Sequence, residues 1–295
     1  MLEFNAVSAN DFEKYNKYRA MDRTNASEGV FMTMFMWNAY YNMEIAENGE
    51  FLFIRFNIRN RKPSYFFPIG SGNLEKAVDE LCEYSKQRGE RLCFRLVSFE
   101  NAEKLKNISG KKFGFTPVRD SFDYVYFTDK MISLSGKKLH SKKNHLNYFL
   151  ENYAFEYKTV TDSGILSRCR EKAVQWVSEK TKNINSFERG AMEKYFDYFF
   201  EFGQKGAVLL VDGEIAAMSF GERLCEDTAL IQIELADENY RGAYQAINKL
   251  FCENEWSDFT YVNREEDMGI EGLRKAKEGY HPAFLVEKYY IEEEV

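Results

Sequence analysis

A chain of 295 residues, 44% hydrophobic and 29% charged, has room for two domains with their own cores, which excludes a disordered or fibrous protein. Its net charge of −7 is unevenly placed: residues 1–129 carry 18 basic and 18 acidic groups, residues 130–295 carry 22 and 29. That balance excludes a general polyanion binder, yet Lys130–Leu150 holds five lysines, two histidines and no acid, a local basic patch.

The first half opens without a basic start or an apolar signal core, and its longest apolar run of note, Val30–Trp37, falls far short of the ~20 residues of a membrane span. The expectation is a cytoplasmic protein with no transmembrane segment. Tyr41–Phe56 reads as a hairpin turning at Asn48-Gly49, followed by the strand Tyr65–Ile69 and the turn Gly70-Ser71-Gly72. Leu74, Ala77, Val78, Leu81 and Cys82 share one face of a helix over Asn73–Arg88. Strand Arg91–Val97, helix Glu100–Ile108, Gly114-Phe115 and an aromatic strand Phe122–Phe127 complete the half. The aromatic stretch Phe31–Tyr41 is expected in the core or lining a groove. SLSGKK is the most linker-like stretch and puts a boundary near Met131, giving domains 1–130 and 131–295.

The second half begins with helical patterns at Ile165–Glu179 and Glu188–Phe202 and then repeats the order of the first. Ala207–Phe220 is a hairpin turning at Asp212-Gly213, and Thr228–Leu235 is a strand. Arg241-Gly242 opens the helix Ala243–Asn254. Strand Phe259–Asn263, helix Ile270–Glu278, Gly279-Tyr280 and strand Phe284–Ile291 follow. The corresponding glycines are 65 residues apart in one half (Gly49, Gly114) and 66 in the other (Gly213, Gly279), the spacing of a duplicated fold.

Five scattered cysteines form no C-x-x-C pair and read as reduced thiols, and three histidines are too few for a metal centre. Gly70-Ser71-Gly72 lacks the P-loop pattern, and no G-x-G-x-x-G follows a strand, so neither nucleotide hydrolysis nor dinucleotide binding is indicated.

Hairpin, strand, helix, strand, helix, Gly-aromatic, strand is similar to the element order of GNAT-type N-acyltransferases. That likeness implies an α/β (α+β) protein of two tandem GNAT-like domains with mixed central sheets. It also implies a splay between central strands and a helix N-terminus turned to an acyl carrier's phosphates. That N-terminus is Arg241, Gly242, Ala243, Tyr244 and Gln245. Glu234, at the end of the central strand, becomes the candidate base, and Lys277 the cation near the acyl ester or carrier phosphate. Asn263 and Arg264 at the neighbouring strand end, with Arg274 and Tyr280, are candidates to bind the carrier or an amine substrate. Lys137, Lys138 and His140 are candidates for tRNA phosphates or anionic lipid headgroups.

The closing segment from Val262, VNREEDMGIEGLRKAKEGYHPAFLVEKYYI, resembles the C-terminal catalytic domain of phosphatidylglycerol lysyltransferases and their stand-alone relatives, matched at Leu273, Lys277, Tyr280, Pro282, Lys288 and Tyr289. LSGKKLHSKKNHLNYF from Leu134 and ENYRGAYQAINKLF from Glu238 look like the same group. The resemblance covers most of the chain. It implies transfer of an acyl or aminoacyl group to an amine or hydroxyl acceptor, a lipid headgroup or a small amine. The donor is acyl-CoA or aminoacyl-tRNA, with no tightly bound cofactor and no metal. The alternatives are an acyl-CoA-dependent N-acetyltransferase and a non-catalytic GNAT-like module that binds a ligand or partner.

Overall fold

The computed structural model describes residues 2–58, 60–108, 110–180 and 186–294. The chain divides into two compact units, Met1–Phe122 with Val286–Val295, and Asp123–Leu285. Among the described residues no helix is long and apolar enough to cross a membrane.

The first unit is built on a mixed sheet. Its strand order is Asn5–Ala6, Met43–Glu47, Phe51–Phe56, Ser64–Tyr65, Cys93–Ser98, Lys288–Glu293 and Phe113–Pro117, with Ile69–Gly70 also paired to Phe51–Phe56. The helix Leu74–Gln87 starts at Asn73, whose side chain accepts the Lys76 N–H at 3.0 Å. It buries Ala77, Val78 and Leu81, as its periodicity requires. Phe31–Tyr41 forms two short helices, Phe31–Met36 and Asn38–Tyr41, the first buried at Phe31, Met32, Met34, Phe35 and Met36.

The second unit has the sheet order Phe284–Val286, Asp123–Phe127, Tyr261–Asn263, Thr228–Ala236, Glu214–Arg223, Lys205–Val211 and Phe155–Thr159. The helix Ala243–Glu255 lies on one face of it. Ala243, Ala246, Ile247, Phe251 and Cys252 pack there with Ala229, Ile231 and Ala236 of the sheet. Both units therefore carry the repeated order of hairpin, strand, helix, strand and helix.

The expected boundary at Met131 differs from the observed division. SLSGKK is no linker: Thr128–Ser133 is helical, Lys137–Leu139 is a 3-10 turn, and the helix His140–Asn152 follows within the second unit. Asp123–Phe127, read as the last strand of the first half, pairs with Tyr261–Asn263 in the second sheet. The final segment, read as one strand, breaks at Glu287. Phe284–Val286 stays with Asp123–Phe127, while Lys288–Glu293 enters the first sheet between Cys93–Ser98 and Phe113–Pro117. Alternating aromatic residues suit a strand in either sheet, so pattern alone cannot assign the partner.

Candidate active site

The strands Thr228–Ala236 and Tyr261–Asn263 run parallel, and their ladder ends at the Leu230–Asn263 pair. Against its other neighbour the longer strand carries a bulge: Phe220 faces Ile233 and Gly221 faces Ile231, which leaves Gln232 as the extra residue. The bulge changes the alternation. Glu234 consequently shares with Ala229, Ile231 and Ala236 the face covered by the helix Ala243–Glu255.

There Glu234 is held by two partners. Asn248, buried on that helix, donates Nδ2–H to Oε2 at 2.8 Å, and Arg264 donates Nη2–H to Oε1 at 2.6 Å. Arg264 is the first residue past the neighbouring strand, so this ion pair joins the two strands where their ladder has stopped. Its guanidinium lies 4.9 Å from the centroid of the Tyr280 ring and 5.7 Å from that of Tyr126. Burial opposes the Arg264 charge, but Glu234 together with Tyr126, Tyr280 and Cys252 outweighs it and raises the pKa. Its Nη1 is shut off from water and has no protein partner. The Asn248 carbonyl oxygen and the Ser219 hydroxyl are buried and unpartnered as well, and Ser219 faces Glu234 across the antiparallel ladder.

Lys142 is the second cation. Its Nζ lies 4.4 Å from the Tyr280 centroid and 3.5 Å from the Ala276 carbonyl oxygen. Burial lowers its pKa, Arg264 lowers it further, and Glu234 works the other way. Lys137, Lys138, His140 and Lys143 are exposed on the same segment. Lys142 differs because it falls on the face of Leu139, Leu146 and Phe149, at spacings of 3, 4 and 3. That spacing is the sequence signal that separates it from the cluster. Tyr126 and Asn248 are further members of the site that sequence reasoning missed.

Lys277 has a different task from the one expected. It is buried, and its ammonium donates to the backbone carbonyls of Arg264 at 2.6 Å, Glu265 at 3.0 Å and Glu266. All its N–H bonds are thereby committed, and burial lowers its pKa to about 8. It shapes the turn that presents Arg264 rather than reaching a ligand itself. Asn263 is also turned inward: it donates to Asp123 at 3.1 Å and accepts the Glu265 N–H at 2.7 Å. Arg274 grips the buried Asp267 through Nε and Nη2, both at 2.8 Å, while Tyr124 and the Gly269 N–H complete the carboxylate. These three expected contacts to substrate are internal ties of the loop that carries Arg264.

The proposed phosphate seat is likewise filled by the chain. Gly242 has φ of 90°, and a Cβ there would overlap the His145 carbonyl of the helix His140–Asn152. The close backbone approach that the glycine permits is therefore made by that helix. Arg241 is exposed, 4.4 Å from the centroid of the Tyr148 ring; Ala243 is buried; Tyr244 packs on the core; and Gln245 is partly buried.

A crystal structure of a conserved protein of unknown function from Bacteroides thetaiotaomicron is 30% identical, with a TM-score of 0.92 over 100% of both chains. The C-terminal domain of a putative lysylphosphatidylglycerol synthetase from Agrobacterium fabrum shares the fold at 16% identity and a TM-score of 0.69, over 96% of this chain and 91% of that one. A tandem GNAT protein from the clavulanic acid biosynthesis pathway also shares it, at 9% identity and a TM-score of 0.53 over 99% and 98% of the two chains. An uncharacterised protein of Mycoplasmoides gallisepticum is 27% identical over 177 residues, 58% of this chain; the alignment spans 56% of that curated relative's length. The model of the family described as phosphatidylglycerol lysyltransferase, C-terminal, matches residues 19–292, and this chain belongs to that family.

Proposed function

We propose that the second unit transfers an aminoacyl group from aminoacyl-tRNA to an amine or hydroxyl acceptor, and that Arg264 is the donor that stabilises the acyl oxygen. The observation that carries this is the Glu234–Arg264 pair across the open end of the parallel ladder, with Arg264 Nη1 buried and unpartnered. A donor fixed in that way stabilises charge that develops on an acyl oxygen. Glu234 then anchors Arg264, because both of its carboxylate oxygens already accept hydrogen bonds. In the transfer, the acceptor's nitrogen or oxygen bonds to the acyl carbon and the ester C–O bond breaks. The acceptor's proton is transferred to the departing ribose oxygen as that bond breaks, while Lys142, whose Nζ lies 4.4 Å from the centroid of the Tyr280 ring, adds positive charge beside Arg264.

Acyl-CoA is the less suitable donor because the helix His140–Asn152 occupies the approach at Gly242. The exposed Lys137, Lys138, His140 and Lys143 suit tRNA phosphates instead. The lysylphosphatidylglycerol synthetase among the relatives makes an anionic lipid headgroup the first acceptor to try. The test is single-turnover loss of label from lysyl- and alanyl-tRNA, and from acetyl-CoA, with phosphatidylglycerol vesicles or small amines present. Transfer from a charged tRNA is expected, with a loss on the order of 100-fold for Arg264→Gln. Transfer from acetyl-CoA alone overturns the donor assignment, and binding without transfer from any donor returns the unit to a ligand-binding module.

A further inference from the structure

The loop that carries Arg264 runs on to an exposed apolar tip. Met268 and Ile270 are 62% and 52% exposed, more than the other large hydrophobic side chains described at the surface. They lie in a run of five exposed residues, 268–272, so the tip projects from the unit rather than lining a cleft.

Neither residue is the one its backbone favours. Met268 is left-handed, with φ of 53°, a conformation that suits Gly, Asn or Asp. Ile270 is the N-cap of the helix Glu271–Glu278 and makes no capping bond, where Ser, Thr, Asp or Asn would accept a free backbone N–H. Polar side chains at both positions would serve the fold and the solvent better, and side chains so exposed gain little from packing. An apolar residue that breaks a local rule without a compensating contact points to a function.

The tip is also fixed to the transfer site. The buried Asp267 accepts the Gly269 N–H at 2.8 Å and both bonds from Arg274, while its backbone carbonyl accepts the Ile270 N–H at 2.9 Å. Lys277 holds the carbonyls of Arg264, Glu265 and Glu266 just before it. Arg264 and Met268 are separated by at most about 14 Å of chain. Whatever takes up Met268 and Ile270 is therefore brought beside Arg264.

The charge near the tip fits an anionic partner. The helix Glu271–Glu278 is about 12 Å long, and Lys142 reaches its far end, 3.5 Å from the Ala276 carbonyl oxygen. The segment of Lys142, residues 130–150, holds no acid and exposes Lys137, Lys138, His140 and Lys143. Of the nearby acids, Glu271 pairs with Lys275 at 2.6 Å, Glu265 and Glu266 lie half-buried beside Lys277, and Glu278 is exposed. Two apolar side chains on a projecting tip fall well short of a stable protein interface, which buries about 800 Å² on each partner. They match a wedge that enters the boundary between headgroups and acyl chains, with lysines drawn to an anionic surface around it.

We infer that the second unit docks on an anionic lipid surface, with Met268 and Ile270 seated among the headgroups and Lys137, Lys138 and Lys143 over the surrounding phosphates. The inference rests on the transfer reading only for its purpose, since a lipid acceptor then meets Arg264 without leaving its bilayer. Docking itself needs no donor, so either reading can fail alone.

The test is co-sedimentation of the full chain, with no donor present, with vesicles of phosphatidylglycerol and phosphatidylcholine in equal parts, and with phosphatidylcholine vesicles alone. The mixed vesicles are expected to bind, about tenfold or more tightly than phosphatidylcholine alone, and with a similar loss for the double variant Met268→Asn, Ile270→Ser. Both substitutions are neutral and suit their backbone, so the variant keeps its fold and its charge. Phe200→Ser removes a side chain that is 50% exposed in the turn before Lys205–Val211, and is expected to change nothing. Tryptophan emission of Ile270→Trp should move to shorter wavelength on the mixed vesicles. Binding that the double variant retains, equal binding to both vesicles, no binding to either, or an unshifted emission from sedimented Ile270→Trp overturns the docking. A chain that ignores vesicles but self-associates until Met268 and Ile270 are replaced makes the tip a protein interface and overturns it as well.

Discussion

Asp267 shows how much of the site is built from residues that never meet a substrate. Its carboxylate is fully buried and accepts from Arg274, Tyr124 and the Gly269 N–H, and the Arg274 bonds hold its pKa well below the usual carboxylate range. Replacing it with Asn leaves Arg274 facing a neutral amide. Removing one partner of a buried pair costs about 3–5 kcal/mol, and the low end applies because Arg274 is 32% exposed. Asp267→Asn is therefore expected to lose about 3 kcal/mol in urea unfolding at pH 7. A group whose folded pKa is depressed contributes fully above its unfolded value of about 3.9, and that contribution fades as the pH falls below it. The wild-type advantage should accordingly narrow below about pH 4, and a gap that stays constant down to acid would refute this assignment. Glu234, Arg264, Lys277, Arg274 and Tyr280 were each legible in sequence as candidates, although the pattern does not show whether Glu234 and Lys277 share one cleft. Their separate duties were not, because residue type does not reveal which donors the backbone has already claimed. Lys277 is the clearest case, its cationic head spent on the carbonyls of Arg264, Glu265 and Glu266.

At the scale of elements, the strand Thr228–Ala236 and the helix His140–Asn152 decide the site. Strict alternation along the strand would set Glu234 on the face opposite Ala229 and Ile231; the bulge at Gln232 reverses this. A bulge leaves no mark on a hydrophobic pattern, so which way a strand-end acid faces cannot be read from alternation. The helix was legible only as a basic run, and its packing against the turn at Gly242 shows in the glycine alone. Gly242→Ala tests that packing. It adds a left-handed cost of about 1–2 kcal/mol to overpacking of about 1–3 kcal/mol against the His145 backbone. Gly213→Ala is the control, since φ there is 80° with open space around the missing Cβ, and it should carry the conformational cost alone. Equal losses for the two variants in chemical denaturation would mean that the helix is not seated on the turn.

Over the whole molecule, duplication was legible from the order and spacing of elements, but the exchange of strands between the two sheets was not. The exchange makes the first unit discontinuous in sequence: its sheet is closed by Lys288–Glu293, placed between Cys93–Ser98 and Phe113–Pro117. That strand brings in Ile291, which is fully buried among Phe94, Val97 and Leu105, and Lys288, fully buried against Glu28 and Ser27. A chain ending at Leu285 lacks it, and Phe113–Pro117 then loses the partner that joins it to the sheet. The second unit keeps six of its strands whole, with Phe284–Val286 losing only Val286, and keeps the core around Phe251 and Trp256. Limited proteolysis of the truncated chain is therefore expected to cut rapidly within residues 1–122 and to leave a resistant fragment spanning 123–285. A fragment 123–285 expressed alone should unfold in one cooperative transition, while residues 1–122 alone should not. Equal protease resistance of both units in the truncated chain would show that the last strand is an accessory, because a sheet that survives without an interior strand was never closed by it.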